Sequence, residues 1–253
     1  MKIAVLITVH NRIKKTLLCL ESLYNQNSEN NFEVYLTDDG SNDGTYDILI
    51  NKFPNVNIIQ GNGSLFWNQG MIRAWKAAIS SDEYDFYLWL NNDTFLFENS
   101  INELLLSFDR AKLIEGKDCI IIGSCKESYD CNNFSYGGRD DFGPIYPGEE
   151  IKEIKYMNGN LVLISNNIYK ILGTNSNLYK HSFGDYDYGL RAIQNNIKCF
   201  IARGYLAICK KNKDEVICFN AEFSLFDRIN NLFQDGGFNL KDYLVYRKKF
   251  FKK

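Results

Sequence analysis

The residues best suited to bind a ligand or take part in a reaction are Asn91, Asn92 and Asp93, which directly follow the hydrophobic run 86–90. Carboxylate and amide oxygens suit Mg²⁺ or Mn²⁺, and such ions often complete their shell with substrate phosphates. If the run is a buried parallel strand, these side chains lie at its carboxyl end, where open α/β sheets bind ligands. The alternative is an ordinary turn, because Asn and Asp are favoured turn formers.

A second candidate is Asp185, within the stretch 181–192. A positioned carboxylate can act as a general base and take the proton of an attacking hydroxyl group. The alternative is structural, with Asp185 favouring a helix N-terminus and Arg191 pairing with Asp187 one turn away. His181 could donate to a phosphate or serve as a metal ligand, although the sequence offers it no recognisable partner.

The elements that must position these residues alternate along the first half of the chain. Hydrophobic runs predict strands at 3–9, 32–36, 56–60 and 86–90, and helical spacing predicts helices near 17–24, 46–53 and 71–78. This order predicts an α/β fold with a doubly wound, mostly parallel sheet. Each strand ends in a polar cluster, and four clusters on one rim predict a site rather than four unrelated turns. The chain lacks G-x-G-x-x-G after its first strand and lacks a P-loop motif, which argues against a dinucleotide-binding dehydrogenase and a P-loop NTPase.

The second half is predicted to extend the same domain. Its pattern indicates a helix at 100–108, a strand at 119–123, a helix at 166–172 ending at Gly173, and an amphipathic helix within 223–233. The glycine-rich loop 136–144 is either near an acceptor or a plain surface hairpin. We predict one domain over 1–218, with halves of about 1–98 and 99–218, followed by a C-terminal helix and basic tail over 219–253.

The composition limits the kinds of binding partner and the cellular compartment that we expect for the protein. The net charge of -2 gives no global reason to expect nucleic acid. Seven scattered cysteines without a C-x-x-C pair indicate reduced thiols, although the evenly spaced Cys119, Cys125 and Cys131 leave a metal site as an alternative. The N-terminal apolar run is too short for a signal peptide, and no run approaches the roughly 20 apolar residues of a membrane span. These features predict a cytoplasmic protein.

The polar clusters carry a family resemblance. Segments 8–12, 38–45 and 91–93 resemble the successive signatures of family 2 glycosyltransferases, which have the GT-A fold, and Asn91 replaces the first Asp of the family's Asp-x-Asp motif. Segment 156–165 resembles the strand that passes beneath the donor sugar, where Gly159 allows a close approach. Segment 184–191 resembles the Glu-Asp-x-Asp-x-x-x-Arg motif, with Gly184 in place of the Glu. The resemblance covers roughly the first four-fifths of the chain.

The resemblance implies an inverting glycosyltransferase that uses a nucleotide-diphosphate sugar, of UDP or dTDP type, and a glycan or lipid-linked acceptor in surface polysaccharide synthesis. It implies Asp185 as the base, Mg²⁺ or Mn²⁺ on Asp93 with His181 as an alternative ligand, and Asp39 as acceptor from a base N–H. The family often has a further His as a metal ligand, and segment 204–210 has none. The predicted donor-binding residues are Thr8, His10, Asn11, Arg12, Asp39, Gly63, Trp67, Asn68, Asn91 and Asn92, and those on the acceptor side are Gly159, Asp187 and Arg191.

The basic, aromatic tail predicts contact with the inner face of a membrane. Residues 241–253 interleave Lys and Arg with Tyr and Phe, which suits an anionic lipid surface. The alternative is a tail that packs its aromatics on the core.

Two other functions compete with sugar transfer: a sugar nucleotidyltransferase, whose Gly-rich, basic first loop is missing here, and a non-catalytic nucleotide- or carbohydrate-binding protein on the same fold.

Overall fold

A mixed sheet organises the protein. The computed structural model describes residues 1–27, 31–211, 217–235 and 238–251. Its main sheet has the strand order β10-β13-β6-β12-β4-β1-β2-β3, with β5 paired to β13 and β7 paired to β6. The strands of this sheet are β1 (Lys2–Val9), β2 (Asn31–Asp38), β3 (Val56–Gln60), β4 (Phe86–Leu90), β5 (Phe95–Leu96), β6 (Ile120–Lys126), β7 (Phe134–Tyr136), β10 (Lys152–Ile154), β12 (Leu161–Ser165) and β13 (Cys199–Ile208).

Strand direction explains where a site can form. β1 runs parallel to β2 and β4, β2 runs parallel to β3, and β12 runs antiparallel to β4 on one side and β6 on the other. The start of β12 therefore lies at the same rim as the carboxyl end of β4, and the backbone N–H of Asn91 donates to the carbonyl of Asn160 at 2.9 Å. This pairing brings residues from the two halves of the chain together.

Helices cover both faces of the sheet. Alternate residues of β1 enter different cores, with Ile3, Val5 and Ile7 on one face and Ala4 and Leu6 on the other. This two-sided burial explains why the first strand is a continuous aliphatic run. The helices are α1 (Ile13–Tyr24), α2 (Thr45–Lys52), α3 (Phe66–Ser81), α4 (Ser100–Glu115), α5 (Asn166–Leu172), α6 (Gly184–Gln194), α7 (Leu225–Phe233) and α8 (Leu240–Phe250).

The predicted fold class is confirmed, and several elements have the predicted positions. The helix α5 spans the predicted residues and ends at Gly173, whose φ of 69° suits glycine. Met71, Ala74, Trp75 and Ala78 are buried along one face of α3, as their spacing predicted. The loop 136–144 contains more order than expected, because β8 (Gly138–Arg139), β9 (Pro144–Ile145) and β11 (Tyr156–Met157) form a small antiparallel sheet.

The C-terminal region differs from the predicted tail. Residues 240–250 form helix α8, and Tyr246 is buried against Phe183 and Phe250 rather than free for a lipid surface. Lys249 forms an ion pair with Asp187, so it is also unavailable to a membrane. Lys252 and Lys253, part of the same prediction, lie outside the described residues. Within the described ranges, no helix combines the length and apolar character needed to cross a bilayer.

Candidate functional site

A cleft of about 620 Å³ lies at the rim where β1 and β4 end and β12 begins. Three segments contribute most of its walls: the end of β1, the turn after β4, and the approach to α6. It is lined by Thr8, Val9, His10, Arg12, Asp39, Phe66, Trp67, Asn91, Asn92, Asp93, Tyr136, Asn158, Gly159, Asn160, His181, Ser182, Phe183, Asp185, Tyr186 and Phe238. The sheet thus brings most of the predicted donor residues and the predicted base to one cavity.

Asp93 lies in this cleft with both carboxylate oxygens in contact with other side chains. Its Oδ2 accepts from Arg12 Nη1 at 3.1 Å and from Lys15 Nζ at 3.3 Å. The Cys209 thiol lies 3.8 Å from Oδ1. Burial, together with the nearby Asp93 carboxylate, raises the pKa of Cys209 to about 12, so the thiol is protonated at neutral pH and can donate to Asp93.

Asn91 and Asn92 are held by bonds to neighbouring elements. The indole N–H of Trp67 donates to Asn91 Oδ1 at 2.7 Å. The Asn92 amide donates to Thr16 Oγ1 at 3.0 Å, which ties the turn after β4 to α1. These contacts fix the turn. Asp93 is the only carboxylate in segment 91–93.

The donor set does not fit a resident divalent cation. A Mg²⁺ or Mn²⁺ site needs several oxygen ligands, but the two cations Arg12 and Lys15 already share Asp93 Oδ2, and Asn91 Oδ1 accepts from Trp67. Across the residues that the structure describes, no group of three His, Cys, Asp or Glu side chains could hold a metal ion. The same statement covers the cysteine trio, whose members Cys119 and Cys125 are buried thiols.

Asp39 organises the loop that leads into α3. Its Oδ1 accepts from the backbone N–H of Gly63 at 2.8 Å, and its Oδ2 accepts from those of Leu65 at 2.8 Å and Phe66 at 2.9 Å. Asp39 is buried, and its backbone carbonyl lies 2.6 Å from His10 Nδ1. The carboxylate therefore stabilises the wall of the cleft, and its predicted contact with a nucleotide base stays a prediction.

Asp185 lies at the start of α6, where backbone groups orient it. Its Oδ2 accepts from the Gly159 N–H at 2.9 Å, and its Oδ1 accepts from the Tyr186 N–H at 2.8 Å. A Cβ on Gly159 would lie 2.5 Å from the Trp67 ring and 3.3 Å from Asp185 Cβ. Gly159 thus permits close packing of Trp67 and Asp185, which places Asp185 beside the side chain that holds Asn91.

The structure explains why position 184 is a glycine rather than the Glu of the motif. A Cβ at this position would lie 2.1 Å from Asn68 Oδ1. Asn68 is fully buried and donates to the carbonyls of Ser176 and Tyr179, at 2.9 and 2.7 Å. Asn68 therefore occupies the space next to α6 and does not line the cleft, a different role from the predicted donor contact.

Asp187 and Arg191 also lie outside the cleft lining. Asp187 is fully buried, and its Oδ1 accepts from Arg191 Nε at 2.7 Å. Its Oδ2 accepts from the Tyr179 hydroxyl at 3.0 Å and from Lys249 Nζ at 2.5 Å. These contacts match the structural alternative for this pair, and they anchor α6 to α8 beneath Asp185.

His181 faces the cleft from the segment before α6. Its ring packs edge-on against Phe66, with centroids 5.9 Å apart, and its Nδ1 is buried without a hydrogen-bond partner. Burial lowers the pKa of His181 below its ordinary value, partly opposed by Asp242. The imidazole is therefore neutral at pH 7 and can accept or donate one hydrogen bond.

The remaining predicted residues divide between cleft and periphery. Thr8, His10 and Trp67 line the cavity, whereas Asn11 and Gly63 lie beside it in the loops that bound it. Tyr136 also lines the cleft, from the loop that the sequence offered as near an acceptor. Sequence reasoning did not single out the other wall residues, Asn158, Asn160, Ser182, Phe183, Tyr186 and Phe238, and it missed Lys15. Asn158 and Asn160 flank Gly159 within the segment already singled out, so proximity to that glycine was a usable signal.

Two aromatic residues of the wall have unusual backbone conformations. Phe66 and Phe183 have φ angles of 55° and 66°, in the left-handed region that bulky residues rarely adopt. Such residues cost of order 1–3 kcal/mol each and occur mainly where the surrounding structure enforces them, often at ligand sites. Both lie at the N-terminal ends of helices that bound the cleft, α3 and α6.

Comparisons with known proteins agree with this architecture. Residues 4–123 match the family model described as Glycosyl transferase family 2. S. aureus TarS 1-349 in complex with UDP-GlcNAc is similar over 99% of this chain and 73% of that one, at 17% identity and a TM-score of 0.63. The same fragment in complex with UDP gives 92% and 72% coverage, 17% identity and a TM-score of 0.61.

A structure from another organism shares the fold. Mannosyltransferase PcManGT from Pyrobaculum calidifontis, in complex with GDP-Man and Mn²⁺, is similar over 83% of this chain and 57% of that one, at 11% identity and a TM-score of 0.59. None of the curated proteins matches the chain by sequence. At these identities the likeness to solved structures shows the GT-A fold.

Proposed function

We propose that this chain, whose residues 4–123 match the model of glycosyl transferase family 2, transfers a sugar from a nucleotide-diphosphate sugar to a hydroxyl group of a glycan or lipid-linked acceptor. One observation carries the proposal: a single cleft contains the polar end of β1, the turn of Asn91 and Asp93, and the carboxylate of Asp185. The neighbours TarS and PcManGT were solved with UDP, UDP-GlcNAc or GDP-Man, which supports a nucleotide-sugar donor of UDP or related type.

In the proposed reaction, Asp185 takes the proton of the acceptor hydroxyl as its oxygen attacks the anomeric carbon. A sugar hydroxyl is a poor nucleophile, and a general base in hydrogen-bond reach contributes about 10²–10⁴-fold in rate. The N–H groups of Gly159 and Tyr186 hold the carboxylate in place. A single displacement with one base inverts the anomeric configuration.

The acceptor side of the cleft is aromatic. Tyr136, Phe183, Tyr186 and Phe238 line the same cleft as Asp185. A mostly apolar wall with a few oriented polar groups is typical of small-ligand sites, and the tyrosine hydroxyls can bond sugar hydroxyls. This wall supports a carbohydrate acceptor over a charged one.

A divalent cation stays outside the proposed steps, because Asp93 is shared by Arg12 and Lys15. The expectation of Mg²⁺ or Mn²⁺ remains a prediction, which Mn²⁺ titration of the protein with and without a nucleoside diphosphate can test. Weak Mn²⁺ binding is expected, since one already paired carboxylate offers little to the ion.

We also propose that the protein contacts an anionic membrane surface on the cytoplasmic side, through α7 rather than through the tail. Leu225 and Phe226 are each 73% exposed, and Ile229 and Phe233 are exposed on the same helix. The next helix adds exposed Lys241, Arg247 and Lys248. Each cation near an anionic surface contributes about 1 kcal/mol, and apolar side chains can enter the headgroup layer.

Vesicle co-sedimentation tests this contact. Phe226→Ser should reduce binding to anionic vesicles, while the matched control Leu113→Ser on α4, where Leu113 is 86% exposed, should not. Equal binding of both variants would remove α7 from the proposal. Truncation at Asn239 is a poor test, because it also deletes the α8 residues that contact α6 and the segment before it.

The substitution Asp185→Asn tests the transferase proposal. It should retain nucleotide affinity while transfer falls about 10²–10⁴-fold. Stability should fall by roughly 1–3 kcal/mol, because the Asn amide presents an N–H group to one of the two backbone donors. Asp47→Asn, an exposed carboxylate on α2, serves as the matched control. NMR of the product should show inversion relative to the donor. Transfer at the parent rate in Asp185→Asn, or a retained configuration, would refute the mechanism. Tight nucleotide binding without any transfer by the parent protein would favour a non-catalytic binding protein.

A further inference from the structure

The contact between Asp93 and two cations carries an inference beyond general donor binding. Arg12 immediately precedes α1, and Lys15 lies in its first turn. Both reach the same oxygen of Asp93, Oδ2, whose side chain is 9% exposed, whereas the side chains of Arg12 and Lys15 are 46% and 48% exposed. Arg12 and Asp93 both line the cleft, and Lys15 reaches the same carboxylate oxygen from α1.

The charge of this cluster equals that of a metal-loaded carboxylate. Two cations and one anion sum to +1, the same as one divalent ion bound to one carboxylate. The two cations are about half exposed, so solvent screens part of their attraction to Asp93, and they can exchange that contact for an anionic ligand. A guanidinium also binds phosphate oxygens through two parallel N–H groups, and an ammonium acts as a mobile point charge.

We propose that Arg12 and Lys15 transfer from Asp93 to the donor diphosphate and neutralise it there, so that donor binding does not require a divalent cation. This inference rests on the proposed transferase function. When the anomeric C–O bond breaks, its electron pair goes to the diphosphate oxygen, and the acceptor oxygen forms the new bond to carbon. The acceptor proton goes to Asp185, and the new negative charge on the diphosphate lies against the Arg12 and Lys15 groups.

The role of Asp93 changes accordingly. Its carboxylate keeps the two cations at the cleft in the unliganded protein. A metal ion and the two cations compete for the same oxygen, so removal of the cations should make Asp93 available to a metal. This competition separates the proposal from a purely structural ion pair, which would affect folding but would not alter metal dependence.

The experiment measures binding of UDP and GDP, with uridine and guanosine as nucleosides that lack the diphosphate. Calorimetry is performed with the full chain in EDTA and again with Mn²⁺. The variants are Arg12→Gln, Lys15→Gln and the double variant. Lys14→Gln is the matched control, because Lys14 is an exposed lysine on the same helix and its loss changes the net charge equally.

The parent protein should bind a nucleoside diphosphate equally well in EDTA and in Mn²⁺. Each site substitution should weaken that binding in EDTA about tenfold or more, as expected for lost charge-assisted bonds, and should leave nucleoside binding unchanged. In the double variant, Mn²⁺ should restore part of the affinity and should bind the free protein more tightly than it binds the parent. Lys14→Gln should behave as the parent.

Two results would overturn the inference while leaving the proposed function intact: parent binding that depends on Mn²⁺, or Lys15→Gln and Arg12→Gln variants that bind like Lys14→Gln. Failure of the parent to bind any nucleoside or nucleoside diphosphate would instead refute the proposed function itself, and the inference with it. Thermal unfolding of each variant identifies any that fail to fold, and the single variants then replace the double one.

Discussion

The ion pair between Lys249 and Asp187 gives the sharpest test of how α8 supports the site. Lys249 Nζ lies 2.5 Å from Asp187 Oδ2, and the Asp187 side chain is fully buried while that of Lys249 is 30% exposed. We predict that Lys249→Gln destabilises the protein, whereas the adjacent exposed Lys248→Gln does not. The two variants lose the same charge from the same helix.

The expected loss of stability depends on the hydrogen bonds that Asp187 keeps in the Lys249→Gln variant. A hydrogen bond to a charged group contributes about 1.5–3 kcal/mol. Arg191 remains bound to Oδ1 and Tyr179 to Oδ2, so Asp187 is not left unpaired, and partial exposure of Lys249 favours the lower end of that range. We therefore expect a loss of about 1.5–2 kcal/mol, which for a protein of this size lowers Tm by about 3–8 °C.

Calorimetry or circular dichroism gives Tm, and initial rates give kcat. Because Asp187 lies two residues after Asp185 on α6, Lys249→Gln should also lower kcat more than it raises KM. Lys248→Gln should stay within about 0.5 kcal/mol of the parent, as surface substitutions usually do. If the two variants have the same Tm, the ion pair is not a structural support of α6.

Three further predictions concern the cleft. Asp39→Asn should lower stability by roughly 1–3 kcal/mol, because it presents an N–H donor to the backbone N–H groups of the 61–66 loop; unchanged Tm with weaker nucleotide binding would instead favour a direct base contact. Gly184→Ala should cost about 1–3 kcal/mol through overpacking, and little of that cost should remain in an Asn68→Ala background; additive losses would contradict the close contact seen between them. Burial lowers the pKa of His181, so its contribution to stability is complete above pH 6.5 and falls as the pH drops below that value. His181→Gln should therefore reduce the decrease in Tm between pH 7 and pH 5. A decrease as large as that of the parent protein would exclude His181 as its cause.

Local patterns in the sequence were enough to predict the sheet and the rim at which the cleft lies. β1 and β4 are continuous apolar runs that end in polar residues, and parallel strands place those ends together. This reasoning correctly predicted the α/β class and brought Asp39, Asn91 and Asp93 to the same rim as one another. The confirmed positions depend on short-range periodicity, which is read directly from the chain.

Contacts between distant residues could not be predicted in this way. Asn68 and Gly184 are far apart in the chain, and only the packing of α3 against α6 shows why a Glu has no room at 184. The pairing of Asp187 with Lys249 likewise joins residues 62 positions apart. The helix α8 itself did carry a signal, because Tyr243, Tyr246 and Phe250 recur at spacings of three and four residues.

The dependence of α6 on α8 has a consequence for synthesis on the ribosome. Asp187 precedes its lysine partner by 62 residues, and chains grow at about 5–20 residues per second, so roughly 3–12 s separate the two. During that interval the segment that carries Asp185 lacks one of its supports. The rim that carries Asp185 is therefore completed late, and a nascent chain that stops before residue 249 should contain the whole sheet yet remain poorly active.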